Sequence, residues 1–324
     1  MRKLTIKETQ FAIDKLKTIF SSKLAKELNL VRVSAPLFVQ STSGLNDSLN
    51  GDEPVKFKAN NISSDLEIVH SLAKWKRHAL KKYNFNIYEG IYTDMNAIRK
   101  EETIDQFHSF YVDQWDWELI IKKNDRNVEF LKSIVRKIYN CLIETEKEIN
   151  QIYPQLNNKL NQDIHFISSE ELYNLYPNIC AEKREYEAVK KWGSVFIISI
   201  GKKLADGKPH SNRAKDYDDW NLNGDLIVYN KITDSTLELS SMGIRVNKEA
   251  LIKQFNLPEI DILNISPYHQ NIISEYLPQT IGGGIGQSRI AMFLLEKEHI
   301  GEVQVSVWDN ENNNFAAEKK INLL

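Results

Sequence analysis

The run Ile281-Gly282-Gly283-Gly284-Ile285-Gly286-Gln287-Ser288-Arg289 passes directly into an amphipathic stretch over residues 290–299. Side-chain-free glycines let a flat ligand lie against the strand backbone. The arginine at the strand-to-helix junction then offers a planar cation to a phosphate or a purine ring. A dinucleotide fingerprint is the competing reading. That motif needs a third glycine where this chain has Arg289, and it normally sits in an early βαβ unit rather than at the end. Two upstream segments keep the run company: residues 96–102, where Arg99 precedes Glu101 and Glu102, and residues 238–245, an acidic strand ending in Arg245.

Such residues need elements to hold them. Ile13, Leu16, Phe20, Leu24 and Leu28 recur at three- and four-residue spacing, which predicts an amphipathic helix from about 8 to 28. Residues 30–36 follow as a strand ending at Pro36, and Val128, Leu131, Val135, Ile138 and Leu142 mark a second long helix. Residues 109–121 alternate as a strand does. Asp113, Trp115, Trp117 and Leu119 point one way, and Gln114, Asp116 and Glu118 point the other. A strand does not need such a polar row for stability; a solvent-exposed face is the plain explanation, and a ligand pocket is the other.

Residues 224–229 and 236–241 read as two strands joined by a polar turn around Thr233 and Asp234, which delivers Asp225 and Glu238 to one region of a sheet. Simple pairing about that turn sets Glu238 opposite Tyr229, so one ion reaches both carboxylates only if the turn is irregular. Residues 206–220 are polar, with Arg213 and the acidic cluster Asp216, Asp218 and Asp219, and suit a surface loop or a lid.

Composition narrows the classes. A chain of 324 residues with 42% hydrophobic content supports a sizeable core. The formal charge of −2 gives no sign of general affinity for nucleic acid. The short basic run Lys74-Trp75-Lys76-Arg77-His78 reads as a solvated helix face. Cys141 and Cys180 lack metal-ligand spacing and are expected to be half-buried thiols in a reducing cytoplasm. The start carries no export signal, and no apolar run is long enough to span a membrane. With no linker visible, residues 1–324 read as one domain.

An arginine before acidic residues, an acidic strand ending in arginine, and a terminal Gly-rich strand with arginine resemble the catalytic cores of class II aminoacyl-tRNA synthetases. The long helix, strand and Pro36 resemble the first motif of those cores, which builds a dimer interface. The implied fold is α+β, a mostly antiparallel sheet flanked by helices, and the implied chemistry is activation of a carboxylate by ATP. Five longer segments then sharpen the match: residues 70–77, 111–118, 216–220, 238–245 and 279–289. Together they resemble ammonia-dependent asparagine synthetase of the A type, essentially from end to end.

The acceptor reading is consistent with this. A tRNA ligase of this subclass would carry an N-terminal anticodon-binding barrel, for which the first helix leaves no room. A glutamine-dependent enzyme would need cysteine after the initiator methionine, where this chain has Arg2. Free ammonia is the acceptor expected. A compact synthetase that charges tRNA through an auxiliary protein is one alternative. A catalytically dead sensor of aspartate or ATP is another, but it would lose motif residues that this chain keeps.

The resemblance implies roles. Arg99 bridges the α-phosphate, Arg289 holds the terminal phosphate or stacks on adenine, and Glu101 contacts adenine, with Ser109 also at the ATP site. Asp225 and Glu238 are the implied Mg²⁺ ligands. Gln114 and Asp116 take the substrate ammonium group, with Asp47 and Ser241 as further substrate contacts, and Asp218 is the candidate base for ammonium. His70 and His108 are expected to be structural. Lys76 and Arg245 correspond to the pair that grips the side-chain carboxylate in aspartyl-tRNA synthetases, and here they would grip the α-carboxylate of aspartate. Strict alternation sets Glu238 and Arg245 on opposite faces, so a bulge at Met242 and Gly243 is predicted. The implied partners are L-aspartate, ATP and ammonia, with no nucleic acid or membrane, in a cytoplasmic homodimer.

Overall fold

A computed structural model describes residues 3–47, 49 and 51–324; Arg2, used above against a glutamine-dependent reading, lies outside them with Met1, Ser48 and Asn50. In chain order the elements are α1 (Ile6–Leu28), β1 (Leu30–Arg32), β2 (Phe38–Gln40), β3 (Lys56–Phe57), β4 (Leu66–Ile68), α2 (Ala73–Lys82), β5 (Gly90–Ile98) and β6 (Tyr111–Ile120). Then come α3 (Val128–Ile152), β7 (His165–Ser168), α4 (Ser169–Leu175), α5 (Ala181–Trp192), β8 (Ser194–Ile198), β9 (Asp218–Asn230) and β10 (Ser235–Arg245). The last are α6 (Lys248–Phe255), α7 (Glu259–Leu263), α8 (Pro267–Ile273), β11 (Thr280–Gly286), α9 (Gln287–Leu294) and α10 (Asn310–Lys319).

Helix α1 starts where a capping box allows it. The Glu8 backbone donates to Thr5 Oγ1 at 3.3 Å and the Glu8 carboxylate accepts from the Thr5 backbone at 2.8 Å. Its buried stripe of Ala12, Leu16, Phe20, Leu24 and Leu28 packs with α3 under the main sheet. Asn29, in the left-handed region at φ 53°, ends the helix and turns the chain into β1. That strand is shorter than predicted. Val33 still donates to the Tyr92 carbonyl at 2.9 Å, but Pro36 has no N–H with which to extend the ladder.

Among the described residues the main sheet has eight strands in the order β1-β5-β6-β11-β10-β9-β8-β7. Its four inner pairings between β5 and β9, and β8 with β9, are antiparallel; the two end pairs, β1 with β5 and β7 with β8, are parallel. The mostly antiparallel α+β architecture matches the fold class read from the sequence. One face rests on α1 and α3, where Trp115 and Trp117 are fully buried and Phe20 meets Trp115 with ring centroids 4.6 Å apart. The other face bears the cavity described below. Asp218–Trp220, read as loop, belong to β9, and α9 starts at Gln287, so Arg289 stands in its first turn. No helix among the described residues is long and apolar enough to cross a membrane.

Candidate active site

The polar face of β6 and the glycines of β11 form the floor of a cavity of about 350 Å³. Gln114 and Asp116 line it, and Glu118 continues the row in full burial. β11 runs antiparallel to β6, with Gly282 opposite Glu118 and Gly284 opposite Asp116. A Cβ on Gly282 would overlap the Glu118 carboxylate, and one on Gly284 would overlap the Gln114 amide. The glycines therefore make room first for polar side chains of the neighbouring strand. The flat shelf for a ligand is narrower than the sequence suggested.

Glu118 and its neighbours on the same face form a cluster of buried charge. Glu118 accepts from Arg245 at 3.0 Å to Nε and 2.7 Å to Nη2, and the Lys76 ammonium is 3.7 Å away. Arg245 also donates to Asp218, and Lys76 to Asp116. Lys76 was expected to meet substrate directly. Instead its ammonium sits behind Asp116, donating also to the carbonyls of Trp117 at 2.8 Å and Gly283 at 3.3 Å. Arg245 does line the cavity. Burial alone would raise the pKa of Glu118, but Arg245 and Lys76 outweigh it and hold the carboxyl below its ordinary 4.5. Because the folded value is the lower one, this stabilisation is present above the unfolded pKa and is lost as pH falls through the folded value. Glu118→Gln keeps the shape and removes the charge from between two cations. It is expected to cost about 3 kcal/mol in urea unfolding at neutral pH, the low end for a broken buried pair because Asp116 and Asp218 remain. A midpoint unchanged from wild type would refute it.

The hairpin of β9 and β10 differs from its sequence reading in register. Its turn is centred earlier, with Asn230 paired to Ser235, because Asn230 Oδ1 accepts from Ile232 N at 3.1 Å and Asp234 closes the turn at φ 50°. Glu238 is therefore opposite Ile227, not Tyr229, and is a diagonal neighbour of Asp225. The irregularity that brings Glu238 to the face of Ser241 and Arg245 lies between Glu238 and Ser240, not at Met242 and Gly243. A second break, between Gly243 and Arg245, comes from extra residues on β9. Asp225 accepts from Arg213, which also donates to Ser241 Oγ at 2.6 Å. Burial raises the Asp225 carboxyl to about 7, with Arg213 opposing and the nearby Glu238 adding to the rise. Across the cavity Arg289 donates to the Glu238 carbonyl at 3.2 Å, with the Glu238 carboxylate 3.7 Å off.

Loops close the other end. Asp47 is buried, accepting from Leu49 N at 2.9 Å and Ser71 Oγ at 3.1 Å, and burial raises its carboxyl despite nearby Lys74. Burial likewise raises Asp218, against Arg245 and Arg213. Arg99 lines the cavity with its Nη2 3.4 Å from the His70 carbonyl, and its buried Nε has no partner among the described residues. Glu101, expected at adenine, points outward and pairs with Lys100 at 3.4 Å, while Glu102 lines the cavity. Ser109 lines it too, its hydroxyl donating to the Tyr111 carbonyl at 2.7 Å. His70 is buried beside Arg99; His108 reaches the cavity with Nδ1 2.8 Å from Asp105.

Comparison with known proteins bears on this geometry. The family model for aspartate-ammonia ligase matches residues 7–320. The chain belongs to the aspartate–ammonia ligase family. It is 54% identical over 322 residues to the aspartate–ammonia ligase of Fusobacterium nucleatum, covering 99% of this chain and 98% of that one. The Clostridium tetani enzyme is 52% identical, covering 99% and 95%. Among solved structures, asparaginyl-tRNA synthetase of Pyrococcus horikoshii with asparaginyl-adenylate has a TM-score of 0.65 at 14% identity, covering 91% of this chain and 68% of its own. The Entamoeba histolytica enzyme with the same adenylate has a TM-score of 0.64 at 14% identity, covering 92% and 66%. These likenesses fix the fold as that of the class II synthetases.

Within this aspartate–ammonia ligase, the sequence reading missed the burial of several charged residues around the site. The run read as a solvated helix face is mostly interior: Lys74, Lys76 and Arg77 are buried. Lys74 pairs with Asp216 at 2.6 Å, and Arg77 donates to the carbonyls of Pro278 at 2.9 Å and Val246 at 2.7 Å. A signal existed, because Ala73, Lys76, Arg77 and Leu80 fall on one helical stripe. Arg213, read from the sequence only as part of a surface loop or a lid, stands in the irregular stretch between β8 and β9 and lines the cavity. Cys141 is buried, and burial pushes its thiol to about 12; Cys180 is exposed rather than half-buried.

Proposed function

We propose that this aspartate–ammonia ligase makes L-asparagine from L-aspartate, ATP and ammonia through a β-aspartyl adenylate, releasing AMP and pyrophosphate. One juxtaposition carries the reading. The cavity has at one end an arginine, Arg99, with a buried N–H left over, and further along the sheet a carboxylate and a guanidinium, Asp116 on β6 and Arg245 on β10, one on each side of the Gly-rich β11. The first suits a phosphate and the second a zwitterion.

A carboxylate resists ammonia because its oxygen leaves poorly. In the first step the β-carboxylate attacks the α-phosphorus, the bond to the bridging oxygen breaks, and pyrophosphate departs. Arg99 stabilises charge building on the α-phosphate oxygens, and Arg289 holds the terminal phosphate or the adenine. Glu102 takes the adenine contact first assigned to Glu101, and Ser109 borders the nucleotide. In the second step ammonia attacks the acyl carbon and AMP leaves. Gln114 and Asp116 hold the substrate ammonium group, Asp47 and Ser241 complete its surroundings, and Lys76 positions Asp116.

Asp218 is the base. At rest it accepts from Arg245, and that cation restrains its pKa. An arriving α-carboxylate takes its place on Arg245 and leaves Asp218 more basic as ammonium needs to lose a proton.

Magnesium belongs to the same reading. Asp225 and Glu238 are diagonal neighbours, near enough for one to shift the pKa of the other, and no larger acidic or histidine cluster exists among the described residues. Two carboxylates fit an ion that relies on substrate phosphates for most of its shell. When bound it supplies charge neutralisation to the phosphates. The protein acts as a cytoplasmic homodimer without nucleic acid, the exposed Phe11, Val31, Leu37 and Phe38 being the face a second copy covers.

Product analysis tests the reaction. With aspartate, ATP, Mg²⁺ and ammonium, the expected products are asparagine, AMP and pyrophosphate. ADP with phosphate would mean an acyl phosphate and would overturn the adenylate. Glutamine is expected not to replace ammonium, and rates are expected to rise with pH as free ammonia increases.

A further inference from the structure

Arg213 stands in the stretch between β8 and β9, outside every motif discussed above. Its guanidinium reaches Asp225 and donates to Ser241 Oγ at 2.6 Å, and it lines the cavity. Its side chain is 17% exposed, and its Nε is buried without a partner among the described residues. The backbone on either side is pinned: Ser211 N donates to the Ile200 carbonyl at 2.9 Å, and the Ala214 carbonyl accepts from Trp220 Nε1 at 3.1 Å. Gln254 Nε2 then holds the Lys215 carbonyl at 2.9 Å. A rotation of the Arg213 side chain, without loop opening, is enough to move this cation.

We infer that Arg213 is a tethered counter-cation: it occupies Asp225 while no metal nucleotide is bound, yields that carboxylate to the metal, and turns its guanidinium onto the incoming phosphates. The inference rests on the reading of Asp225 and Glu238 as the magnesium ligands. Its physical basis is charge balance. A buried carboxylate, Asp225, beside the half-exposed Glu238 would be costly without a cation, and the chain supplies one of its own. A divalent ion arriving alone meets that resident charge and is repelled by it. An ion arriving with a polyphosphate brings new partners for the guanidinium, whose fork matches phosphate oxygens as well as it matches a carboxylate. The site thereby discriminates against free metal and favours the metal–nucleotide pair, and the leftover Nε–H is a donor held ready for it.

The test uses Mn²⁺ as the probe, with free Mn²⁺ read by its electron paramagnetic resonance signal. Wild type, Arg213→Gln, Asp225→Asn and the double variant are titrated with and without ATP, each checked for a wild-type-like melting transition. Without nucleotide, Arg213→Gln is expected to bind Mn²⁺ about tenfold or more tightly than wild type, since the repelling charge is gone. Adding Asp225→Asn is expected to abolish that gain. If Arg213→Gln does not fold, Arg213→Met keeps the packing of the stem and carries the same expectation. Mn²⁺ binding no tighter than wild type, in a protein where Asp225→Asn still weakens Mn²⁺ binding in the presence of ATP, overturns the counter-cation role alone. Mn²⁺–ATP binding untouched by Asp225→Asn overturns the metal assignment beneath it.

Discussion

Arg99→Lys is expected to lower turnover by about 10²- to 10³-fold, the scale on which a preorganised donor to developing charge matters. The substitution keeps the charge but loses the planar fork. Lysine cannot offer two parallel N–H groups to adjacent phosphate oxygens, and its point charge draws a different geometry. The folded protein has little stake in the change. Among the described residues the Arg99 side chain makes one long hydrogen bond, 3.4 Å to the His70 carbonyl, and its Nε has no partner. Its donors are thus little used by the fold. Melting temperature should stay near wild type while kcat and kcat/KM fall together, the pattern of an interaction made mainly in the transition state. A kcat equal to wild type in a normally melting protein would reduce Arg99 to a wall residue.

What the sequence disclosed and what it hid follow from the range of the interactions involved. The stripe of α1 and the alternation of β6 were legible because burial imposes a period on neighbouring residues. Trp115 and Trp117 go inward, and Gln114 and Asp116 go to the cavity. The Gly-rich strand was legible as an element. What its glycines face was not, because Gly282 makes room for Glu118, a residue brought there only by strand pairing. Register was hidden for the same reason. One hydrogen bond from Ile232 to Asn230 sets where the hairpin turns, and every pairing beyond it moves. Charge misled most. Lys74, Lys76 and Arg77 look like a solvated face until the carboxylates and carbonyls that receive them, contributed by β6, the loop before β9 and the residues flanking β10 and β11, are folded against them. Buried ion pairs have no local sequence signature, since each partner is polar and the pairing is distant in the chain.

The orientation of aspartate decides which of its two carboxylates is amidated, and here the expected effect is qualitative. If Arg245 grips the α-carboxylate while Asp116 and Gln114 hold the ammonium group, the β-carboxylate is the one left facing Arg99 and the nucleotide. With ¹⁸O confined to the β-carboxylate, label should appear in AMP, because one of those oxygens becomes the bridge to phosphorus and stays with the phosphate when ammonia displaces it. The amide product should be asparagine and not its α-amide isomer. Arg245→Lys probes the grip itself. Lysine preserves a positive charge for Glu118 and Asp218, which now accept from Arg245 at 2.7 Å to Nη2 and from Nη1 respectively, but it loses the fork that could serve substrate as well. Loss of one charge-assisted hydrogen bond, about 1.5–3 kcal/mol, corresponds to a KM for aspartate raised roughly 10- to 100-fold, with the KM for ATP nearly unchanged. Lys76→Ala should behave differently. It strips Asp116 of its buried partner without removing a group that lines the cavity, so stability should fall along with aspartate affinity. Label from the α-carboxylate in AMP, or an Arg245→Lys effect confined to ATP, would reverse the orientation and move the site of activation to the other end of the substrate.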